Sequence, residues 1–342
     1  MRVMRTLYVT DHSARLRVRK ANLVVERGRE SRRVPIETLE AVVLAGRAEI
    51  TNDALGELVR RGVRISAVSK TGRLRFCVSG PTNGNVMLRL SQYEHSVDPS
   101  HAVRLAKHFV AGKLQNARRL MLRWAAGARA WLERGVMQRE ADVLAQRLAA
   151  LPSASDGDTV RGIEGDGSRR YFRAMAMHLG EADPELAFER RSRRPPRDPT
   201  NALLSFTYGL LLTEVIGALE SVGLDPQVGF LHCARPGRPS LALDLLEEFR
   251  PSIADRFVVA ALTRGQLTTD DLEVRAGRAV YLTAEGRQRL LRLYEANRER
   301  EVPHPLLNRP VPVALLPSIQ ATLLARHLRG DLPAYPPYTI AS

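Results

Sequence analysis

The chain has 342 residues, of which 44% are hydrophobic, enough to bury a full core in one large domain or two of moderate size. Its 52 Lys and Arg residues outnumber 37 Asp and Glu residues, for a formal charge of +15. A GC-rich genome would explain arginine in place of lysine, but it would not explain this excess of basic side chains. We therefore expect a polyanionic partner such as nucleic acid. The two cysteines, Cys77 and Cys233, have no CxxC or zinc-ligand spacing, which argues against a disulfide framework and a structural zinc site.

Neither export nor membrane insertion is indicated. Residues 1–13 alternate apolar and polar side chains and contain no uninterrupted apolar run of the kind found in signal peptides. The longest apolar stretch, residues 202–219, includes Ser205 and Glu214, so we expect a buried helix rather than a membrane span. The expected location is therefore the cytoplasm.

The first part of the chain predicts short β-strands, because apolar residues alternate or recur in brief runs from Arg5 to about Ser79. One helix is expected within it at residues 52–61, with Asn52 or Asp53 as the N-cap. Residues 80–85, of sequence GPTNGN, have the composition of a turn and predict a linker.

From about Pro99 onward, apolar residues fall at helical spacing. Further helices are predicted near residues 129–150, 157–179, 199–221, 240–265, 284–299 and 312–328. The expected fold class is α+β. Residues 1–84 would form an N-terminal β-rich domain, and residues 85–342 a larger, mainly α-helical catalytic domain.

Acids among apolar or glycine neighbours are candidates for catalysis, because phosphodiester chemistry needs a divalent cation held by converging carboxylates, sometimes with a histidine. Glu164 lies in the segment Arg161–Gly165, where small neighbours would let a DNA backbone approach its carboxylate, and Asp166 is a close competitor. The alternative is equally compatible with the sequence: both acids lie in a solvated loop or cap a helix through residues 171–179.

A second candidate is His232, which ends an apolar run. In the helix expected after it, Asp244 and Glu247 are three residues apart and share one face. Neutral imidazole beside carboxylates suits manganese as well as magnesium. The alternatives are a core histidine with satisfied hydrogen bonds and a surface pair of solubilising carboxylates. Cys233 is interpreted as a small buried hydrophobic residue.

A third feature is a basic run in a proline-containing segment before the helix start at Asp198-Pro199. Guanidinium groups bind phosphate in bidentate fashion, so a DNA strand would be held by such a loop beside an acidic site. The alternative is a solvated linker. The candidate DNA-binding residues are Arg190, Arg191, Arg193, Arg194 and Arg197.

The order of these segments resembles a known family, the CRISPR-associated integrases of the spacer-acquisition complex (Cas1), and the overall pattern is similar to type I-C members. The resemblance covers nearly the whole chain, and Asn201 and Tyr208 match recurrent positions that we assign to packing or supporting hydrogen bonds. It is carried by the β-rich N-terminal region, a helix like 101–122, and the segments 162–165 with 171–172, 194–206, 229–232 and 243–251.

The resemblance implies that Glu164, His232 and Glu247 are ligands of Mg²⁺ or Mn²⁺, with Asp244 as an auxiliary acid. Many members have aspartate where this chain has Glu247, so the sequence leaves open whether Asp244 or Glu247 is the closer ligand.

The implied reaction is attack by the 3′-hydroxyl of a captured DNA fragment on a phosphodiester at the edge of a CRISPR repeat. The implied partners are double-stranded and branched DNA, a second copy of the chain in a homodimer formed through the N-terminal region, a small Cas2 protein in a heterohexamer, and in many type I-C systems the nuclease Cas4. Two rival functions remain: a basic DNA-binding protein without catalysis, and a metal-dependent nuclease that hydrolyses branched DNA without joining ends.

Overall fold

Two four-stranded sheets form the N-terminal region. The computed structural model describes residues 5–11, 13–69, 71–78, 80, 85–186 and 188–341, so residues 81–84 of the predicted linker lie outside the described part. The strands of this region are β1 (Arg5–Val9), β2 (Arg15–Arg19), β3 (Asn22–Arg27), β4 (Glu30–Pro35), β5 (Leu39–Leu44), β6 (Glu49–Ile50), β7 (Arg64–Val68) and β8 (Leu74–Val78). One sheet has the order β1-β5-β7-β8 and the other β4-β3-β2-β6.

Alternation of apolar residues produces the antiparallel run β2-β3-β4, in which Leu16 and Leu23 are fully buried. The parallel pairs β1–β5, β5–β7 and β2–β6 were not predicted, because a period of two gives the faces of a strand and not its partner.

The predicted N-cap of the first helix was wrong. Helix α1 (Asn52–Arg60) is capped by Thr51, whose side chain accepts from the backbone N–H of Ala54 at 3.3 Å. Thr51 is the last extended residue (φ −75°, ψ 152°), whereas Asn52 and Asp53 are already helical and cannot serve as the cap.

Helices dominate after the sheets, which confirms the α+β prediction. They are α2 (Val86–Val97), α3 (Pro99–Gly127), α4 (Trp131–Ala150), α5 (Gly157–Ala182), α6 (Pro199–Ser221), α7 (Ser240–Phe249), α8 (Arg256–Thr263), α9 (Ala284–Glu299) and α10 (Leu316–Leu328). Helix α3 packs against α4, α5 and α7, so it is the central support of the candidate site.

Several elements of the helical region were not predicted. Helix α2 was missed because its apolar residues Val86, Met87 and Val97 are exposed and form no burial stripe. The short hairpins β9 (Leu272–Arg275) with β10 (Ala279–Leu282) and β11 (Glu301–His304) with β12 (Arg309–Pro312) are too brief to show a period.

The helix predicted over residues 240–265 is interrupted. Between α7 and α8 the segment Arg250–Asp255 forms π-helical turns. Pro251 has no N–H to donate to the carbonyl of Glu247, and its ring would clash there in a regular α-helix, so the wider turn relieves the conflict. Both ends of this segment carry charged residues of the candidate site.

Helix α6 joins the sheets to the helical region. Gly209 of α6 lies against Gly72, and a Cβ added to Gly209 would be 1.9 Å from the Gly72 carbonyl oxygen. By length and composition α6 is the one helix in the described ranges that could span a membrane, but 72% of its apolar window is buried inside the protein, as in a core helix.

Candidate active site

Glu164 lies two turns after the start of helix α5 and faces α3. Asp156 caps α5 by accepting from the N–H of Thr159 at 2.8 Å. At Gly167 a Cβ would be 2.4 Å from Leu114 Cδ2, so this glycine lets α3 and α5 approach closely. Glu164 is therefore helical and directed toward α3, which is not the loop or helix-cap position that the sequence left open.

The residue that Glu164 meets is Lys113 of α3, which was not predicted from the sequence. Lys113 Nζ forms ion pairs with Glu164 Oε1 and with Glu247 Oε2, the second at 2.5 Å. Its side chain is only 8% exposed. Ser168, one turn after Glu164, donates its hydroxyl to Glu164 Oε1 at 2.7 Å. Carboxylates from α5 and α7 thus converge on one buried ammonium group.

Glu247 is held in its charged form. Burial raises the pKa of its carboxyl, but Lys113, Arg250 and His232 outweigh burial and lower the pKa to about 2. Arg250 Nε lies 3.2 Å from Glu247 Oε1. Burial lowers the pKa of Lys113, whereas Glu247 and Glu164 raise it above its ordinary value. The cluster therefore brings two carboxyl side chains, Glu164 and Glu247, together with two basic ones, Lys113 and Arg250.

Asp244 orients the loop that carries His232. It is fully buried and accepts from the backbone N–H groups of Phe230, Leu231 and His232 at 2.6, 3.0 and 2.9 Å. Its Oδ1 also lies 2.6 Å from His232 Nδ1. A proton on Nδ1 satisfies this contact and leaves Nε2 as the nitrogen with a free lone pair.

The structure thus separates the two acids of α7. Glu247 meets Glu164 through Lys113, while the oxygens of Asp244 are committed to the His232 loop. The prediction that Cys233 is buried was wrong: it is exposed, because it begins the open loop that follows His232.

The donor set fits a hard divalent cation. Two carboxylates converge, His232 is close enough to lower the pKa of Glu247, and the buried Glu247 Oε2 is paired with the Lys113 ammonium. Within the described ranges no three His, Cys, Asp or Glu side chains are arranged as a ready metal cluster. The Lys113 ammonium group occupies the position in which a metal ion would bind both Glu164 and Glu247.

A buried hydrogen-bond network of two tyrosines and an aspartate packs against Arg250. The Arg250 guanidinium lies 4.5 Å from the ring centroid of Tyr208, whose hydroxyl donates to Asp255 Oδ1 at 2.5 Å. Tyr171 donates to the other oxygen of Asp255 at 3.0 Å. Tyr208 is thus a supporting residue, as predicted from the sequence, and Asp255 was not identified there.

Asp255 makes stability depend on pH. Burial raises its pKa to about 6, despite the hydrogen bonds from Tyr208 and Tyr171. Because the pKa is higher in the folded than in the unfolded state, protonated Asp255 contributes to the free energy of unfolding. This contribution is fully present below about pH 4 and is lost as the pH rises through about 6. Asp255→Asn should therefore flatten this loss, of which about 1.4 kcal/mol falls between pH 5 and pH 7.5, when the free energy of unfolding is measured in urea at these two pH values. Asp142→Asn, an exposed aspartate on α4, should keep the wild-type difference; the same difference in Asp255→Asn would refute the assignment.

The arginine loop before α6 is only partly exposed. Arg190, Arg193, Arg194 and Arg197 are exposed. Arg191, which the sequence predicted to bind DNA with them, is turned inward. Its Nη1 donates to Asn201 Oδ1 at 2.5 Å, its Nη2 to Ser205 Oγ at 3.0 Å, and it lies 5.2 Å from the Tyr208 ring centroid. Composition alone could not distinguish this inward arginine from its neighbours.

Comparisons with known proteins agree over the length of the chain. The profile of the family described as "CRISPR associated protein Cas1" matches residues 7–296. The chain is 41% identical over 345 residues to "CRISPR-associated endonuclease Cas1 2" of Rhodospirillum rubrum, covering 98% of each. Among solved structures, a Cas1 protein from Thermotoga maritima superposes with a TM-score of 0.80 at 22% identity, covering 99% of each chain, and a casposase bound to integration product with a TM-score of 0.81 at 22% identity, covering 96% of this chain and 92% of that one.

Two further matches are parts of larger assemblies or fusions. A "CRISPR-associated exonuclease Cas4/endonuclease Cas1 fusion" of Rhodospirillum rubrum is 37% identical over 340 residues, which is 97% of this chain and 57% of the fusion. A chain of a Cas6-RT-Cas1–Cas2 complex superposes with a TM-score of 0.80 at 21% identity, covering 99% of this chain and 36% of that one.

Proposed function

The chain belongs to the Cas1 family of CRISPR-associated proteins, a family of nucleases and integrases, and from that premise we propose the chemistry of its site. The reaction is a metal-dependent transesterification. The 3′-hydroxyl of a captured DNA fragment attacks a phosphodiester at the edge of a CRISPR repeat, and the same site can hydrolyse DNA when water is the nucleophile.

The observation that carries this proposal is the convergence of Glu164 and Glu247 on one buried cationic group beside His232. Glu164, Glu247 and His232 would hold Mg²⁺ or Mn²⁺, because carboxylate oxygens and an imidazole nitrogen suit both ions. When bound, the ion would lower the pKa of the attacking hydroxyl and neutralise charge on the scissile phosphate.

The chain's own residues supply orientation and charge. Asp244 fixes the His232 ring by accepting a hydrogen bond from Nδ1, which leaves Nε2 available to bind the ion. Arg250 holds Glu247 in place through Nε. The exposed arginines of the loop before α6 bind the DNA backbone, and no serine or cysteine nucleophile is needed.

The proposed partners follow from the family and the related assemblies. We infer a homodimer through residues 1–84, with residues 85–342 as the catalytic domain. Cas2 is a proposed partner because a related chain occurs in a complex with Cas2, and Cas4 because a relative is fused to it. We further propose that the protein belongs to a type I-C CRISPR system and acts in the cytoplasm. Its proposed substrates are double-stranded and branched DNA.

Product analysis tests the proposal against its rivals. The purified protein is incubated with a labelled branched duplex that mimics a half-integrated fragment, in Mg²⁺, Mn²⁺ or EDTA. We expect a longer, rejoined target strand in either metal and none in EDTA. Shortened strands alone would favour a hydrolytic nuclease of branched DNA, and binding without any product would favour a non-catalytic DNA-binding protein.

A further inference from the structure

Lys113 is an unusual residue for the centre of an acidic site. It is one of four lysines in a chain with 48 arginines, and it lies on the buried face of α3 between Val110 and Leu114. Lysine is almost never buried unless it is paired. Here both neighbours of its ammonium group are carboxylates from other helices, Glu164 and Glu247.

The ammonium group and a metal ion would compete for the same place. Lys113 Nζ is 2.5 Å from Glu247 Oε2 and also contacts Glu164 Oε1. A magnesium ion bound to the same oxygens would sit about 2.1 Å from each, leaving no room for the ammonium in its present position. The flexible four-carbon stem of lysine allows Nζ to move aside.

The charges at the site also disfavour a metal ion bound beside Lys113 without an additional anion. Lys113 and Arg250 together neutralise Glu164 and Glu247. A divalent ion added to this set would leave an excess of two positive charges in a buried region, which is unfavourable unless an anion arrives with it. The phosphodiester backbone of DNA is such an anion.

Arg250 is less able to move than Lys113. Its guanidinium lies over the Tyr208 ring at 4.5 Å, and its Nε is bound to Glu247 at 3.2 Å. Arg250 is itself nearly buried. The lysine is therefore the cation that can be displaced.

We propose that Lys113 holds Glu164 and Glu247 together in the metal-free protein and leaves that position when the metal ion and a DNA phosphate bind together. Displaced from the carboxylates, the ammonium contacts the phosphate, so Lys113 couples metal binding to DNA binding. This inference rests on the proposed metal site, and it adds a regulatory role for a residue outside the ligand set.

The test measures Mn²⁺ affinity by electron paramagnetic resonance of the free ion, with and without the branched duplex. For the wild-type protein we expect DNA to tighten Mn²⁺ binding about tenfold, a typical size for coupling between two ligands. Lys113→Met should bind Mn²⁺ about tenfold more tightly than wild type without DNA, and DNA should then add little.

Two further variants keep the test decisive. Lys113→Gln also removes the charge but keeps a hydrogen-bond donor, and it serves if Lys113→Met does not fold by circular dichroism. Lys107→Met is the matched control, since Lys107 lies on the same helix and donates instead to the Pro152 carbonyl at 2.9 Å; it should behave as wild type.

The outcomes separate this inference from the proposed function. Equal Mn²⁺ affinity in wild type and both Lys113 variants, or no effect of DNA on the wild-type affinity, overturns the displacement of Lys113 and leaves the metal site standing. Absence of Mn²⁺ binding to the wild type under every condition overturns the metal site itself.

Discussion

His232→Ala is expected to reduce strand transfer by at least about 100-fold, since loss of a supporting residue of a metal ligand already costs 10- to 100-fold. The substitution removes the imidazole that Asp244 holds in one orientation. DNA affinity should stay within about twofold of wild type, because phosphate contacts supply most of it and the arginines are untouched. The measurement is the rate of rejoining of a branched duplex, together with the Kd for the same DNA.

Two comparisons sharpen this prediction. Asp244→Asn keeps His232 but alters the acceptor of its Nδ1, and we expect an intermediate loss of about 10- to 100-fold. His101→Ala changes a half-exposed histidine at the start of α3 whose Nδ1 pairs with Asp98 and whose ring packs edge-on against His95, and it should leave the rate unchanged. Full activity of His232→Ala would remove His232 from the site.

Replacing the four exposed arginines of the loop before α6 by glutamine should weaken DNA binding and flatten its dependence on salt. Each lost phosphate contact lowers the slope of log K against log salt concentration by about 0.9, so the slope should fall by roughly 3 to 4. The residues to change are Arg190, Arg193, Arg194 and Arg197. Arg191 is left in place because it supports Asn201 and Ser205.

The control variant loses the same number of positive charges at a different surface, on and beside α4. Four exposed arginines on α4 and beside it are replaced by glutamine in a second variant: Arg129, Arg134, Arg139 and Arg173. That variant should lose less affinity and keep a steeper slope. Equal slopes in the two variants would mean that total charge, and not the loop, determines binding.

Much of the fold could be predicted from the sequence because its helices are long and periodic. The limits of α5, α6 and α9 lie within three residues of those predicted, and Asp198 caps α6 as expected by accepting from the N–H of Asn201 at 2.7 Å. The local sequence pattern does not show which strands pair or which side chains contact each other. Parallel strand pairing and the inward turn of Arg191 depend on distant residues, so no local period reveals them.

The candidate site shows the same limit. Glu164, His232 and Glu247 stood out by residue type and family resemblance, but Lys113 has neither signal. Its position on the buried face of α3 could have identified it, since a lone lysine in an apolar stripe needs a buried anion as partner. Asp244 and Glu247 are three residues apart and about 60° apart around the helix, which is enough for separate partners.

The most direct test of the central claim compares wild type and Glu164→Ala in the rejoining of a labelled branched duplex in Mn²⁺, with DNA binding measured in parallel. Metal-dependent rejoining by the wild type, lost in Glu164→Ala while DNA affinity is retained, is the result predicted by a metal-dependent transesterase with Glu164 in its site. Rejoining at the wild-type rate by Glu164→Ala would contradict that claim.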